Sequence, residues 1–240
     1  MLLFRKYLPV ILIVVVSFVA YINSFNCSFH YDDISIITEG QIIKFPGKFL
    51  DKNLWMNPNY RAVSLATFGV DYYFWKLNVV GYHISSLLFH IITSILVYFL
   101  CRKVLLKSTR LEPGIIQDIS LWAAVIYAVH PIQTQAVVYI VQRMSILSAM
   151  FFVAAVLAYI DFREYDRHKG ILRRLSSLLI FGVCSYLALF SKQNAVTIPL
   201  VLIGIELFII RNKFNKINRV LLVFYASTLV SIIIYYPWLN

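Results

Sequence analysis

The chain has 240 residues, of which 60% are hydrophobic and 14% are charged. This composition excludes an ordinary soluble domain, because polar residues are too few to cover the surface of a globule of this size. The formal charge of +11 comes from short basic clusters between apolar runs, a pattern typical of membrane proteins rather than of a continuous phosphate-binding face. We therefore expect membrane lipid, and no nucleic acid, as a partner.

The apolar runs predict an all-α, polytopic membrane protein that forms a single membrane module over residues 1–240. About seven runs are long enough to cross roughly 30 Å of hydrocarbon as helices, whose backbone hydrogen bonds are satisfied internally. We interpret the first as an uncleaved helix, because Tyr21-Ile22-Asn23 offers no small-residue cleavage site. The predicted spans are residues 7–23, 82–101, 119–139, 144–162, 175–190, 198–210 and 220–236.

The basic residues predict a cytoplasmic N-terminus, because Lys and Arg are enriched in cytoplasmic loops. With this orientation most of the 22 Lys and Arg residues lie on the inner side. The membrane would be the plasma membrane of a bacterium or the endoplasmic reticulum of a eukaryote. The basic residues left on the outer side are Lys44, Lys48, Lys52, Arg61, Lys76, Arg143 and Lys192.

The first outer loop, residues 24–81, contains a predicted amphipathic helix. Apolar residues recur there at intervals of three and four, as on one face of a helix, while polar residues lie on the other side. Such a helix lies in the membrane interface. It would either cover a site at the membrane surface or act as an anchor with no site beneath it. The apolar residues are Val63, Ala66, Val70, Tyr73 and Leu77, and the polar ones are Arg61, Ser64 and Asp71.

Two adjacent acids, Asp32 and Asp33, follow the first predicted span. Acidic side chains are costly in hydrocarbon, so a pair just beyond its edge either faces water or serves a reaction there. A carboxylate near a low dielectric has a raised pKa and can act as a general base. From the residues alone, both interpretations stay open.

Arg61, Arg143 and Lys192 are cations that the topology places on the outer side near hydrocarbon, where isolated charges need partners. A lipid phosphate or pyrophosphate could accept charge-assisted hydrogen bonds from them. The headgroups of bulk lipid could do the same.

His83 and His90 lie two turns apart on one face of the second predicted span. A buried, hydrogen-bonded histidine is the commoner outcome than a metal ligand at such positions. His83 is close enough to the outer end to reach a site there, while His90 lies deeper. His130-Pro131 is expected to break the third span at its outer end, because proline blocks regular helical hydrogen bonding.

Together, these elements resemble those of a known family, the GT-C membrane glycosyltransferases. The resemblance is greatest to transmembrane O-mannosyltransferases with C-terminal tetratricopeptide repeats and to their bacterial relatives. It rests on the shared order of several short elements over residues 29–192. They are Phe29-His30-Tyr31-Asp32-Asp33, Tyr60-Arg61, Gly81-Tyr82-His83 with His90, His130-Pro131 with Thr134, Val141-Gln142-Arg143, and Ser191-Lys192.

The resemblance implies an enzyme that moves a sugar from a polyprenyl-phosphate carrier to a hydroxyl of a protein or glycan acceptor on the extracytoplasmic or luminal face. It places the general base of the family on Asp32 or Asp33, and we favour Asp32, with Asp33 as its helper. It also implies a set of substrate-binding residues, of which the cations would stabilise the leaving lipid phosphate. The set is Tyr60, Arg61, His83, His130, Arg143 and Lys192.

The sequence departs from the family pattern where relatives commonly carry acids. Gln135 follows the His-Pro-x-x-Thr element, Gln193 follows Ser-Lys, and Met144 follows Arg143. No metal ligand is assigned, and a divalent metal stays open as a cofactor. A transporter, or a catalytically silent scaffold module, stays as an alternative. Because relatives continue with further helices and repeats, the chain is expected to be part of a longer protein.

Overall fold

A computed structural model describes residues 2–164 and 170–210, and every regular element in these two ranges is helical. The all-α prediction is confirmed for them. The α-helices, in chain order, are α1 (Leu2–Tyr21), α2 (Gln41–Lys44), α3 (Lys52–Met56), α4 (Ala62–Trp75), α5 (Val79–Ser108), α6 (Pro113–Val129), α7 (Gln133–Val138), α8 (Arg143–Glu164), α9 (Ile171–Ser191) and α10 (Ile198–Gly204).

Four helical segments within the described ranges are long and apolar enough to cross a membrane. They cover Tyr7–Asn26, Val79–Ser108, Ile140–Arg163 and Ile171–Ser191, and they match four of the predicted spans. The chain is therefore an integral membrane protein. Its predicted orientation stays a prediction.

The predicted third span, residues 119–139, has the wrong bounds. Helix α6 begins at Pro113 and ends at Val129. The helix stops there because Pro131 disfavours a helical backbone at the residue before it, and His130 indeed has φ −60° and ψ 131°. The remaining residues form the separate helix α7, so α6 is only 17 residues long.

The last two predicted spans are not confirmed. Helix α10 continues as a π-helical segment, Ile205–Ile209, and the whole apolar segment Gln193–Ile209 is shorter than the four long helices. The predicted span 220–236 lies outside the described residues. The count of seven therefore stays a prediction.

Helix α5 lies at the centre of the bundle, where it packs against α1, α6 and α8, while α9 packs against the other side of α8. The first residues of α5 and α8 lie at the same end, because Arg143 Nη2 donates a 2.7 Å hydrogen bond to the Tyr82 carbonyl. The end of α9 is also there, since Ser148 Oγ donates to the Lys192 carbonyl at 3.3 Å. All the predicted site residues belong to segments that converge on this end.

A helix is present in the part of the first outer loop where the amphipathic helix was predicted: α4 covers Ala62–Trp75, so that Arg61 and Leu77 lie outside it. Its polar residues Ser64 and Asp71 are buried against the bundle. Of the predicted apolar residues, Val63 is buried too, whereas Val70 and Tyr73 are 56% and 66% exposed. An apolar outward face is what a lipid interface would cover. The interfacial position of α4 stays a prediction that this arrangement supports.

Candidate functional site

Arg61 stands between a 3₁₀ turn, Pro58–Tyr60, and the start of α4. Its backbone is left-handed, with φ 52° and ψ 45°, a conformation that costs energy in a non-glycine residue and is common at functional sites. The half-buried side chain donates from Nε to Gln193 Oε1 at 3.3 Å. This contact joins the first outer loop to the segment that follows α9.

Lys192 directly follows α9 and is also half-buried. Its Nζ donates to Ser145 Oγ at 2.6 Å and to Gln142 Oε1 at 3.2 Å, so that it bridges to the start of α8. Burial lowers the pKa of Lys192, and the nearby charge of Arg61 lowers it further. The two cations are therefore close enough to interact.

Neither of these cations has an acidic partner among the described residues. The ion pairs in that part of the chain involve other bases, and the hydrogen-bond partners of Arg61 and Lys192 are neutral. Partly buried charges of one sign favour a bound counter-ion. The Arg61–Lys192 pair, defined by these two residues, is therefore a candidate anion site.

A cavity of about 310 Å³ opens beside Lys192 and extends along α8, between this helix and the segment that follows α9. Ser145 and Ser148 line it near Lys192, and Phe152 and Val153 line it further along α8. Ser145 and Val153 are separated by about 12 Å of helix rise, from 1.5 Å per residue. The wall that α8 contributes is therefore polar near Lys192 and apolar further along the helix.

Asp33 is 1% exposed and holds the first outer loop in place. Its Oδ1 accepts from the backbone N–H of Val141 at 2.8 Å, and its Oδ2 accepts from the N–H of His30 at 3.0 Å. Burial raises the pKa of Asp33, while these two backbone donors act to lower it. Because Val141 precedes Gln142, Asp33 and Lys192 are attached to the same turn.

Asp32 is exposed, in contrast to its neighbour. Its backbone N–H donates to Tyr139 Oη at 3.1 Å, and it follows Tyr31, which has φ 45° and a side chain 86% exposed. The two aspartates therefore differ: Asp33 fixes the backbone, and Asp32 faces outwards. Neither lines the cavity beside Lys192.

Arg143 is completely buried beneath the site, and sequence reasoning missed its partner. Its Nη1 lies 2.6 Å from Asp71 Oδ2, its Nε donates to Ser86 Oγ at 3.0 Å, and its guanidinium lies over the ring of Phe68. The sequence did contain an indication of this partner, because Asp71 is the sole acid between Asp51 and Glu112. The phosphate-binding role of Arg143 stays a prediction, and this geometry favours a positioning role instead.

The remaining predicted residues do not line the cavity beside Lys192. His83 is fully buried, with Nε2 3.3 Å from the Cys27 carbonyl oxygen. His130 is exposed, and its Nδ1 accepts from the N–H of Ile132 at 3.2 Å. Tyr60 is 50% exposed beside Arg61. Their substrate contacts stay predictions.

Across residues 2–164 and 170–210, no group of three or more His, Cys, Asp and Glu side chains is placed to hold a metal ion. The neutral side chain of Gln193 accepts the hydrogen bond from Arg61.

Comparison with known proteins identifies the relatives of this chain. It is 31% identical over 211 residues to the protein O-mannosyl-transferase TMTC3 of Mus musculus. The aligned residues make up 83% of this chain and 21% of that protein. The chain is a homologue of the protein O-mannosyl-transferases. Identity to the Homo sapiens TMTC3 is 30% over 82% of this chain, and to the Drosophila melanogaster Tmtc3 it is 28% over 86%.

The predicted resemblance to O-mannosyltransferases is thereby confirmed. The chain spans about a fifth to a quarter of the length of these O-mannosyl-transferases, 21% of the mouse protein and 25% of the fly protein. No protein-family model matches the chain. No solved structure matches it.

Proposed function

We propose that the chain forms the membrane module of a glycosyltransferase that moves a mannosyl group from a polyprenyl phosphate to a protein hydroxyl on the extracytoplasmic face. The names of the homologous O-mannosyl-transferases supply the sugar and the acceptor class. The observation that carries the proposal is the Arg61–Lys192 pair, two half-buried cations without an acidic partner in the described part of the chain.

The donor would lie across the Arg61–Lys192 pair and the adjoining cavity. The phosphate would accept charge-assisted hydrogen bonds from the two cations. The prenyl chain would follow the apolar part of the α8 wall of the cavity, past Phe152 and Val153. An amphiphile with an anionic head and an apolar tail matches this order of lining residues.

Sugar transfer then needs a base for the acceptor and stabilisation for the leaving group. The acceptor oxygen forms a bond to the anomeric carbon while the bond from that carbon to the phosphate oxygen breaks. The acceptor proton passes to Asp32, and the negative charge that develops on the leaving phosphate is stabilised by Arg61 and Lys192. Attack opposite the phosphate inverts the anomeric configuration. Asp33 acts as the helper by holding the backbone that carries Asp32.

The donor site is tested by transfer of radiolabelled mannose from polyprenyl phosphate to a protein acceptor, with the full-length protein in purified membranes. Arg61→Gln and Lys192→Gln should each lower the rate by about 10²-fold, as expected for loss of one charge-stabilising donor. Lys52→Gln is the matched control, because Lys52 is exposed in the same loop. Full activity in both site variants would contradict the phosphate assignment.

The base is tested separately in the same assay. Asp32→Asn should abolish transfer while retaining binding of polyprenyl phosphate, and Glu39→Gln is the control on an exposed acid of the same loop. Full activity of Asp32→Asn would show that the base lies elsewhere. Donor binding without any transfer by the unaltered protein would favour the silent module, and solute flux into proteoliposomes without sugar transfer would favour a transporter.

A further inference from the structure

A second cavity, of about 390 Å³, lies between α5 and α8 at the end of the bundle opposite the candidate site. Its first lining residue on α5 is Phe99, which is about 26 Å along the helix from Tyr82 at 1.5 Å per residue. It shares no lining residue with the cavity beside Lys192, and neither Arg61 nor Lys192 lines it. Its lining residues are Phe99, Arg102, Lys103, Leu106, Leu157 and Asp161.

The charges that line this cavity leave one cation without a counter-ion. Lys103 pairs with Asp161 across the two helices. Arg102 is exposed and makes no ion pair with any described residue. The cavity therefore has a net positive rim, since the one acid in its wall is already neutralised.

The rest of the wall is apolar. Phe99 and Leu106 are 42% and 49% exposed, and Leu157 contributes from α8. A small water-soluble anion would not bury this apolar surface. A lipid would use both parts, because its phosphate meets Arg102 while an acyl chain covers the apolar side chains.

We infer that this cavity binds an anionic glycerophospholipid. The Arg102 guanidinium donates hydrogen bonds to the phosphodiester, and Lys103 donates to the same headgroup while it stays paired with Asp161. One acyl chain lies along Phe99, Leu106 and Leu157. Basic pockets between membrane helices are recognised sites for anionic headgroups. The inference does not depend on sugar transfer, because it involves none of the residues assigned to that reaction.

The test is native mass spectrometry of the purified full chain with phosphatidylglycerol and phosphatidylcholine of identical acyl chains. We expect about a fivefold preference for phosphatidylglycerol, the effect of one basic residue near an anionic lipid. Arg102→Gln should remove this preference. Arg110→Gln is the matched control, because Arg110 is exposed at the same end and does not line the cavity.

Two results would overturn the inference. The first is a preference for phosphatidylglycerol that survives in Arg102→Gln or falls equally in Arg110→Gln, since bulk charge attraction would then explain it. The second is displacement of the lipid by millimolar inorganic phosphate, which would assign the cavity to a free anion rather than to a lipid. Melting temperatures of both variants verify that they remain folded.

Discussion

The guanidinium of Arg143 lies 2.6 Å from the carboxylate of Asp71, and the two side chains are 0% and 6% exposed. Asp71 Oδ1 also accepts from Ser85 Oγ at 2.7 Å. The pair joins α4, which begins directly after Arg61, to the first residue of α8. The same helix α8 also carries Ser145. The pair therefore holds α4 against the start of α8.

Asp71→Asn should destabilise the protein strongly, because it leaves the buried charge of Arg143 without its counter-charge. The expected loss is about 3–5 kcal/mol, the usual effect of removing one partner of a buried ion pair. Unfolding of the purified protein by denaturant in mixed micelles would measure it.

The double variant Asp71→Leu with Arg143→Met provides the control, because it removes both charges and retains apolar volume. Such replacements are often nearly neutral, so the double variant should be more stable than Asp71→Asn. Equal stability of Asp71→Asn and the unaltered protein would show that the ion pair does not hold α4 on the bundle.

Asp33→Asn should lower stability, because both carboxylate oxygens of Asp33 accept backbone N–H groups. An amide presents an NH₂ group to one of those donors, and an unsatisfied buried donor costs about 1–3 kcal/mol. Asp32→Asn is the matched control, because Asp32 is exposed. In thermal unfolding, Asp33→Asn should have a lower melting temperature than Asp32→Asn. An equal melting temperature for both variants would contradict the structural role of Asp33.

Gly81→Ala should be destabilising, because a Cβ at this position would lie 2.1 Å from Cγ of Trp75. Trp75 would have to move at the corner where α4 joins α5, and such overpacking typically costs about 1–3 kcal/mol. Gly182→Ala is the control, since a Cβ there meets nothing within 4 Å. Comparison of the two midpoints in denaturant tests this prediction, which fails if Gly81→Ala is as stable as Gly182→Ala.

Anion binding at the Arg61–Lys192 pair should weaken at alkaline pH. The pKa of Lys192 is lowered from the ordinary lysine value of 10.5, so the positive charge is lost at a lower pH than that of an exposed lysine. Titration with farnesyl phosphate by fluorescence should show this loss as the pH rises towards 10.5. Lys192→Arg should retain binding over the same range, because arginine stays protonated. A pH-independent affinity in the unaltered protein would contradict the assignment.

The sequence predicted those parts of the fold that depend on local pattern. Long apolar runs predicted four of the membrane helices, and the spacing of three and four residues predicted α4. The third span was placed too far along the chain, because an apolar run continues past His130 although Pro131 ends the helix. Hydropathy records composition, whereas the end of a helix depends on backbone geometry at one residue.

The sequence by itself determined that this is a helical membrane protein related to O-mannosyl-transferases, because these properties follow from apolar runs and from the order of short motifs. Only the tertiary structure decided which polar residues meet. It paired Arg143 with Asp71, left Arg61 and Lys192 beside neutral partners, and separated the roles of Asp32 and Asp33. A buried charge takes the partner that packing brings within hydrogen-bonding distance, and spacing along the chain does not specify that partner.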